Sequence, residues 1–151
     1  MKVTRGDIRR YESSISDSGF RFTPQRRVVF DSLLTKRDHP TATEVFMRVK
    51  EKMPAISLAT VYNCLETLYE CGLIRQVHVD REPTRYCPNV KEHAHFVCEE
   101  CGRIFDIELA EDKSLGSLTL LPQGFTLHLE ELNLRGCCAA CDQAKSKVQN
   151  N

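Results

Sequence analysis

No apolar stretch in this chain approaches the ~18 residues of a membrane span, which argues against a helical membrane protein. Residues Met1 to Phe20 are charged and polar and lack the apolar core of a secretory leader. The expectation is a cytoplasmic protein whose thiols stay reduced. Internal repeats and low-complexity segments are also missing. So is net charge: 21 Lys and Arg balance 21 Asp and Glu. The balance is uneven along the chain. Residues 1–87 hold 15 basic and 11 acidic side chains, and residues 88–151 hold 6 and 10. A basic front and an acidic rear suit a polyanion-binding module joined to a cation-binding one, although chance can produce an imbalance of this size.

Cysteine is plentiful: eight in 151 residues. In a reducing compartment that points to metal or redox chemistry rather than to disulfides. Four of the eight form two clips, Cys98-Glu-Glu-Cys101 and Cys138-Ala-Ala-Cys141. Two short clips supply the four thiolates of a closed tetrahedral zinc site. The alternative, a pair of redox clips, lacks the βαβ setting in which a reactive Cys-x-x-Cys normally sits. Cys137 beside Cys138 leaves one ligand ambiguous, and the repeated spacing favours Cys138. A second set is mixed: Cys87, His93, His95 and Asp106. On a strand, positions i and i+2 face one side, so His93 and His95 can chelate one ion. They can equally be two ordinary surface histidines.

The periodicity predicts an α+β chain: a winged helix-turn-helix over 1–86, then a small metal-binding domain over 87–151, built on strands around a structural zinc. Helices are expected from Thr4 to Ser18, from Thr23-Pro24 onward, from the capping box Thr41-Ala-Thr-Glu44 to just before Pro54, and from Ser57 to Cys71. A hairpin follows, Leu73 to Val79 and Thr84 to Cys87, turning at Asp80–Pro83. In the rear half, strands His93–Val97 and Ile104–Leu109 flank the first clip. A short helix is expected over Glu111–Leu121 and a third strand over Gly124–Leu134, with Phe125, Leu127 and Leu129 on one parity. The tail from Ala139 reads as helix. In such a fold the helix capped by Ser57 would enter the major groove. Ser57, Thr60, Tyr62 and Asn63 would face bases or phosphates, and Arg21, Gln25, Arg26 and Arg27 the backbone. Each arginine is also a plausible solvated charge.

These residues carry a resemblance. Arg21-Phe-Thr-Pro-Gln-Arg26, His39-Pro-Thr-Ala42, Ile56-Ser-Leu-Ala-Thr-Val-Tyr-Asn63, His93-Ala-His95-Phe-Val-Cys98-Glu-Glu-Cys101-Gly-Arg-Ile-Phe-Asp106 and the final Cys138-x-x-Cys141 resemble, in order and spacing, the ferric uptake regulator (Fur) family of bacterial metal-dependent repressors. The resemblance implies a homodimer that binds double-stranded operator DNA, its rear half a small α/β dimerisation domain held together by zinc at Cys98, Cys101, Cys138 and Cys141. It also implies a regulatory divalent metal at His39, His93, His95, Asp106 and position 87. Tyr62 matches the family's base-contacting tyrosine.

Position 87 departs from the iron- and peroxide-sensing branches, which the chain otherwise resembles around His93 to Asp106 but which place a carboxylate there. Cys87 looks like the zinc-uptake branch, and thiolate with imidazole favours zinc over iron or manganese. That branch, however, takes its first ligand from the hinge strand, where this chain has Arg75, with His78 nearby. A further metal site of some members is degraded, with Ala94 and Glu130 at its ligand positions. The expectation is a zinc-responsive repressor. The alternatives are iron or peroxide sensing, the latter, as the resemblance implies, through oxidation of His39 or His93 by bound iron; a version in which Cys87 itself is oxidised; then a zinc hydrolase and an unregulated scaffold. No general base or substrate pocket is evident for the hydrolase.

Overall fold

The computed structural model describes residues 4–111, 113–128 and 130–149. It contains two compact units, Met1–Val90 and Lys91–Asn151. The first begins with four helices: α1 (Arg5–Asp17), α2 (Pro24–Thr35), α3 (Ala42–Lys52) and α4 (Leu58–Glu70). Each start has a side-chain reason. Thr4, Thr23, Thr41 and Ser57 accept the backbone N–H three residues on, which satisfies a donor that no helical carbonyl can reach. Thr4 with Asp7 and Thr41 with Glu44 complete capping boxes. Pro24 fills the first position of α2, where a missing N–H costs nothing.

Tyr11 and Ile15 of α1, Val29, Phe30 and Leu33 of α2, Val45 and Val49 of α3, and Val61, Leu65 and Leu68 of α4 are buried in one core. The spacing of these apolar residues selects the inner face of each helix. On α4 it leaves Tyr62 and Asn63 outside. The hairpin β1 (Arg75–Val77) and β2 (Arg85–Cys87) pairs antiparallel, with Arg75 opposite Cys87. It completes a winged helix-turn-helix.

In the second unit β3 (Ala94–Cys98) lies between β4 (Ile104–Ile107), antiparallel, and β5 (Asn133–Gly136), parallel. Helix α5 (Ala139–Gln149) follows. Two expected elements differ. The helix over Glu111–Leu121 is only a 3-10 turn, Gly116–Leu118. The Ser117 hydroxyl accepts from Ser114 N–H at 3.3 Å, and the Ser114 hydroxyl accepts from Ser117 N–H at 3.2 Å. These local bonds compete with helix formation. A Cβ on Gly116 would also come within 2.6 Å of the Glu130 carboxylate.

The strand expected over Gly124–Leu134 is confined to Asn133–Gly136. Phe125 and Leu127 do alternate, but among the described residues no neighbouring strand pairs with them, and both are exposed. Leu129, Asp112 and the terminal residues Met1–Val3, Asn150 and Asn151, on which parts of the sequence reading fall, lie outside the described residues. No described helix is long and apolar enough to cross a membrane.

Candidate metal centres

A turn over residues 99–101 follows directly on Cys98, the last position of β3, and leads into Gly102. Cys98 N–H donates to the Arg103 carbonyl and Gly102 N–H to the Cys98 carbonyl, both at 2.9 Å. Gly102 sits at φ +66°, a left-handed conformation that side chains disfavour. This tight knuckle brings Cys98 and Cys101 to one side. The second clip arrives from β5: Glu99 N–H donates to Gly136 carbonyl at 2.9 Å, which registers the chain so that Cys138 opens α5 beside the knuckle.

The ligand atoms of Cys98, Cys101, Cys138 and Cys141 all lie within 4.8 Å of one another. Cys137 is outside the group; it is exposed, and its thiol hydrogen-bonds to the Cys138 carbonyl at 3.7 Å. Four sulfurs, and no competing oxygen donor among them, fit zinc.

The protons in this cluster are unequally held. The backbone N–H of Cys138, 3.3 Å from the Cys98 sulfur, and that of Cys101 lower the Cys98 thiol to about 6. Arg103 lowers Cys101: its Nε donates to the Cys101 sulfur at 3.3 Å, and its Nη2 reaches the Cys138 sulfur at 3.8 Å. Cys141 moves the other way, up to about 12, because its thiol hydrogen-bonds to the sulfurs of Cys138 and Cys101.

The other donors fall in two groups, one in each unit. In the second unit Asp106 lies opposite His95 across the β3–β4 pair. His93 Nε2 is 2.9 Å from His95 Nε2, and the Asp106 carboxylate is 3.3 Å from His93 Nε2 and 3.8 Å from His95 Nε2. His93 Nδ1 faces the Lys91 carbonyl at 2.6 Å, which leaves Nε2 for a metal. In the first unit, a ring nitrogen of His39 and the sulfur of Cys87 lie within 4.8 Å of each other. Both residues are buried. Arg75 donates instead to the Val90 carbonyl at 3.2 Å, and His78 is exposed, so neither is drawn into the pair.

The sequence-selected DNA residues sit as follows. Tyr62 is half exposed, and Ser57, Asn63, Arg21 and Gln25 are exposed. The Ser57 and Thr60 hydroxyls, 2.8 Å apart, are engaged in the α4 cap. Arg26 donates to the Arg21 carbonyl and lies 5.5 Å over the Phe20 ring. Sequence reasoning passed over Arg103 and Arg85. The signal for both was proximity, since each stands two residues from a candidate ligand cysteine.

A winged helix followed along the chain by a unit that carries a four-thiol cluster and an imidazole–carboxylate group is the build of a metal-dependent transcriptional regulator. The ferric uptake regulator family model matches residues 17–135, and the chain belongs to that family. It is 29% identical over 131 residues to the peroxide-responsive repressor PerR of Staphylococcus epidermidis, covering 87% of each chain. Its fold is similar to that of the Helicobacter pylori ferric uptake regulator (TM-score 0.73, 22% identity, 93% of this chain and 95% of that one). It is also similar in fold to a zinc uptake regulator complexed with zinc and DNA (TM-score 0.68, 24% identity, 96% and 99%).

Proposed function

We propose that the chain is a homodimeric repressor that grips operator DNA when a divalent ion, zinc in the favoured reading, occupies His39, Cys87, His93, His95 and Asp106. The observation that carries this reading is the division of donors, His39 with Cys87 in the first unit and His93, His95 and Asp106 in the second. One ion drawing ligands from both units would fix the angle between them, and metal binding would then select one geometry. Zinc at Cys98, Cys101, Cys138 and Cys141 would be the permanent, structural ion.

DNA contact is assigned to Tyr62, Asn63, Ser57 and Thr60 on α4, with Arg21, Gln25 and Arg26 at the backbone. Exposed Leu120, Leu121, Phe125 and Leu127 in the second unit support self-association, since apolar side chains concentrated on one segment mark an interface. Zinc is preferred because Cys87 offers a thiolate beside imidazoles. The second reading, peroxide or iron sensing through bound iron or manganese, draws on the likeness to the staphylococcal peroxide-responsive repressor.

The deciding experiment is zinc per chain in protein purified without added metal, wild type beside Cys87→Ala, with metal-dependent retention of an operator selected from a random duplex pool. Two zincs falling to one, with retention lost, is the expected result. One zinc in both proteins, with iron or manganese restoring retention, moves the peroxide reading to first place. Retention indifferent to every metal overturns both.

A further inference from the structure

Arg85 lies two residues before Cys87 on β2, on the same side of the strand. Its side chain, only 20% exposed, leaves the hairpin and reaches the loop that carries His39. Nη1 donates to the His39 carbonyl at 3.1 Å and to Glu44 Oε2 at 3.5 Å, while Nη2 faces Glu82 Oε2 at 3.5 Å. Glu44 Oε2 is the same atom that accepts Thr41 N–H, at 2.7 Å, in the cap of α3. The backbone repeats the connection: Tyr86 N–H donates to the Pro40 carbonyl at 3.0 Å, and Thr41 pairs with Arg85 in an isolated bridge.

His39 itself adopts φ +53°, in the left-handed region that a residue with a Cβ rarely occupies. Such a conformation persists where surrounding bonds over-determine it. The carbonyl of that residue is the one Arg85 holds. A charged donor on a backbone carbonyl makes a stronger restraint than a neutral one.

We infer that Arg85 is a positioning residue that straps the His39 loop to β2, so that His39 and Cys87 are held as one pre-arranged pair for the regulatory metal. The inference rests on the reading of His39 and Cys87 as ligands. With the strap in place, the ion meets two donors whose separation is already set. Without it, part of the binding free energy goes into forcing His39 into its left-handed state. Partners that orient a ligand in this way typically change metal affinity ten- to a hundredfold. The strap also joins the loop to the cap of α3, so ligand placement and helix placement in the DNA-binding unit share one guanidinium.

The test is competitive metal titration of Arg85→Leu, Arg85→Lys, His39→Ala and wild type, each with its four-thiolate zinc retained. Cobalt serves as the spectroscopic probe of thiolate ligation. Arg85→Leu should weaken the cobalt site about tenfold or more, with one zinc per chain and unchanged helical circular dichroism. Arg85→Lys, which keeps a charged donor, should recover part of the loss. Wild-type affinity in Arg85→Leu, with affinity lost in His39→Ala, overturns the strap but leaves the ligand assignment standing. Unchanged affinity in both variants overturns the ligand assignment and the strap with it. Lost helicity or lost zinc in Arg85→Leu, with no recovery in Arg85→Lys, makes Arg85 a general fold residue and also overturns the strap.

Discussion

The Arg103 guanidinium donates to the Cys101 sulfur at 3.3 Å and leans on the Cys138 sulfur at 3.8 Å, spanning the two clips. Four thiolates around one zinc leave a net negative cluster, and a cation against two of them stabilises it. Arg103→Leu should therefore release zinc to a chelator about tenfold faster, followed with a chromogenic thiol or zinc dye. Arg103→Lys should fall between the two. An unchanged release rate in Arg103→Leu would reduce this contact to a surface one.

The uneven thiols predict a proton count. Cys98, at about 6, is already a thiolate at pH 7.5, whereas Cys141, raised to about 12, still holds its proton. Zinc binding needs all four deprotonated. Uptake at pH 7.5 should thus release fewer than four protons, measured by calorimetry in buffers of different ionisation enthalpy. A thiol lowered from 9.0 to about 6 contributes stability above its unfolded value and loses it as pH falls toward 6. Zinc should be shed most steeply below that point. Release of four protons at pH 7.5 would contradict the low Cys98 value.

Tyr11 is fully buried, stacked on Phe30 with centroids 5.3 Å apart, and its hydroxyl finds no hydrogen-bond partner among the described residues. Burial pushes its pKa to about 12. An unsatisfied buried hydroxyl costs stability, so Tyr11→Phe should leave urea stability equal or raise it by about 1 kcal/mol. A loss of that size would mean the hydroxyl has a partner.

Helix α4 offers a paired comparison. Leu65 is completely buried, and truncating it to alanine should cost about 2–5 kcal/mol. Tyr62, three residues earlier, is 50% exposed. Tyr62→Ala should change stability by no more than about 0.5 kcal/mol, as surface substitutions do. It should nevertheless weaken metal-dependent operator binding about tenfold. Equal operator binding by wild type and Tyr62→Ala would remove Tyr62 from the interface.

The parts of the fold that were legible in the sequence are those governed by neighbours. Thr23-Pro24, the Thr41–Glu44 box and Ser57 each satisfy donors within three residues, so the local sequence suffices to start a helix. The knuckle at Cys98–Cys101 is similarly local. The rear connection was not legible, because its structure depends on distant partners. Gly116 packs under Glu130, and β5 is set by pairing in parallel with β3, a choice that alternation at Phe125 and Leu127 does not encode. Arg85 illustrates the same limit at the site: a separation of 46 positions from His39 hides a contact of 3.1 Å.

The two cysteine clips lie on opposite sides of the long stretch from β4 to β5, with Cys101 and Cys138 separated by 37 positions. An ion shared between them would be a cross-link in parallel with the peptide chain. By the loop-entropy relation for cross-links, closing such a segment is worth about 4 kcal/mol. A protease cut near exposed Leu120 or Phe125 would then sever the backbone without separating the pieces. The nicked protein would migrate intact on a sizing column and fall into two fragments only when a chelator was added.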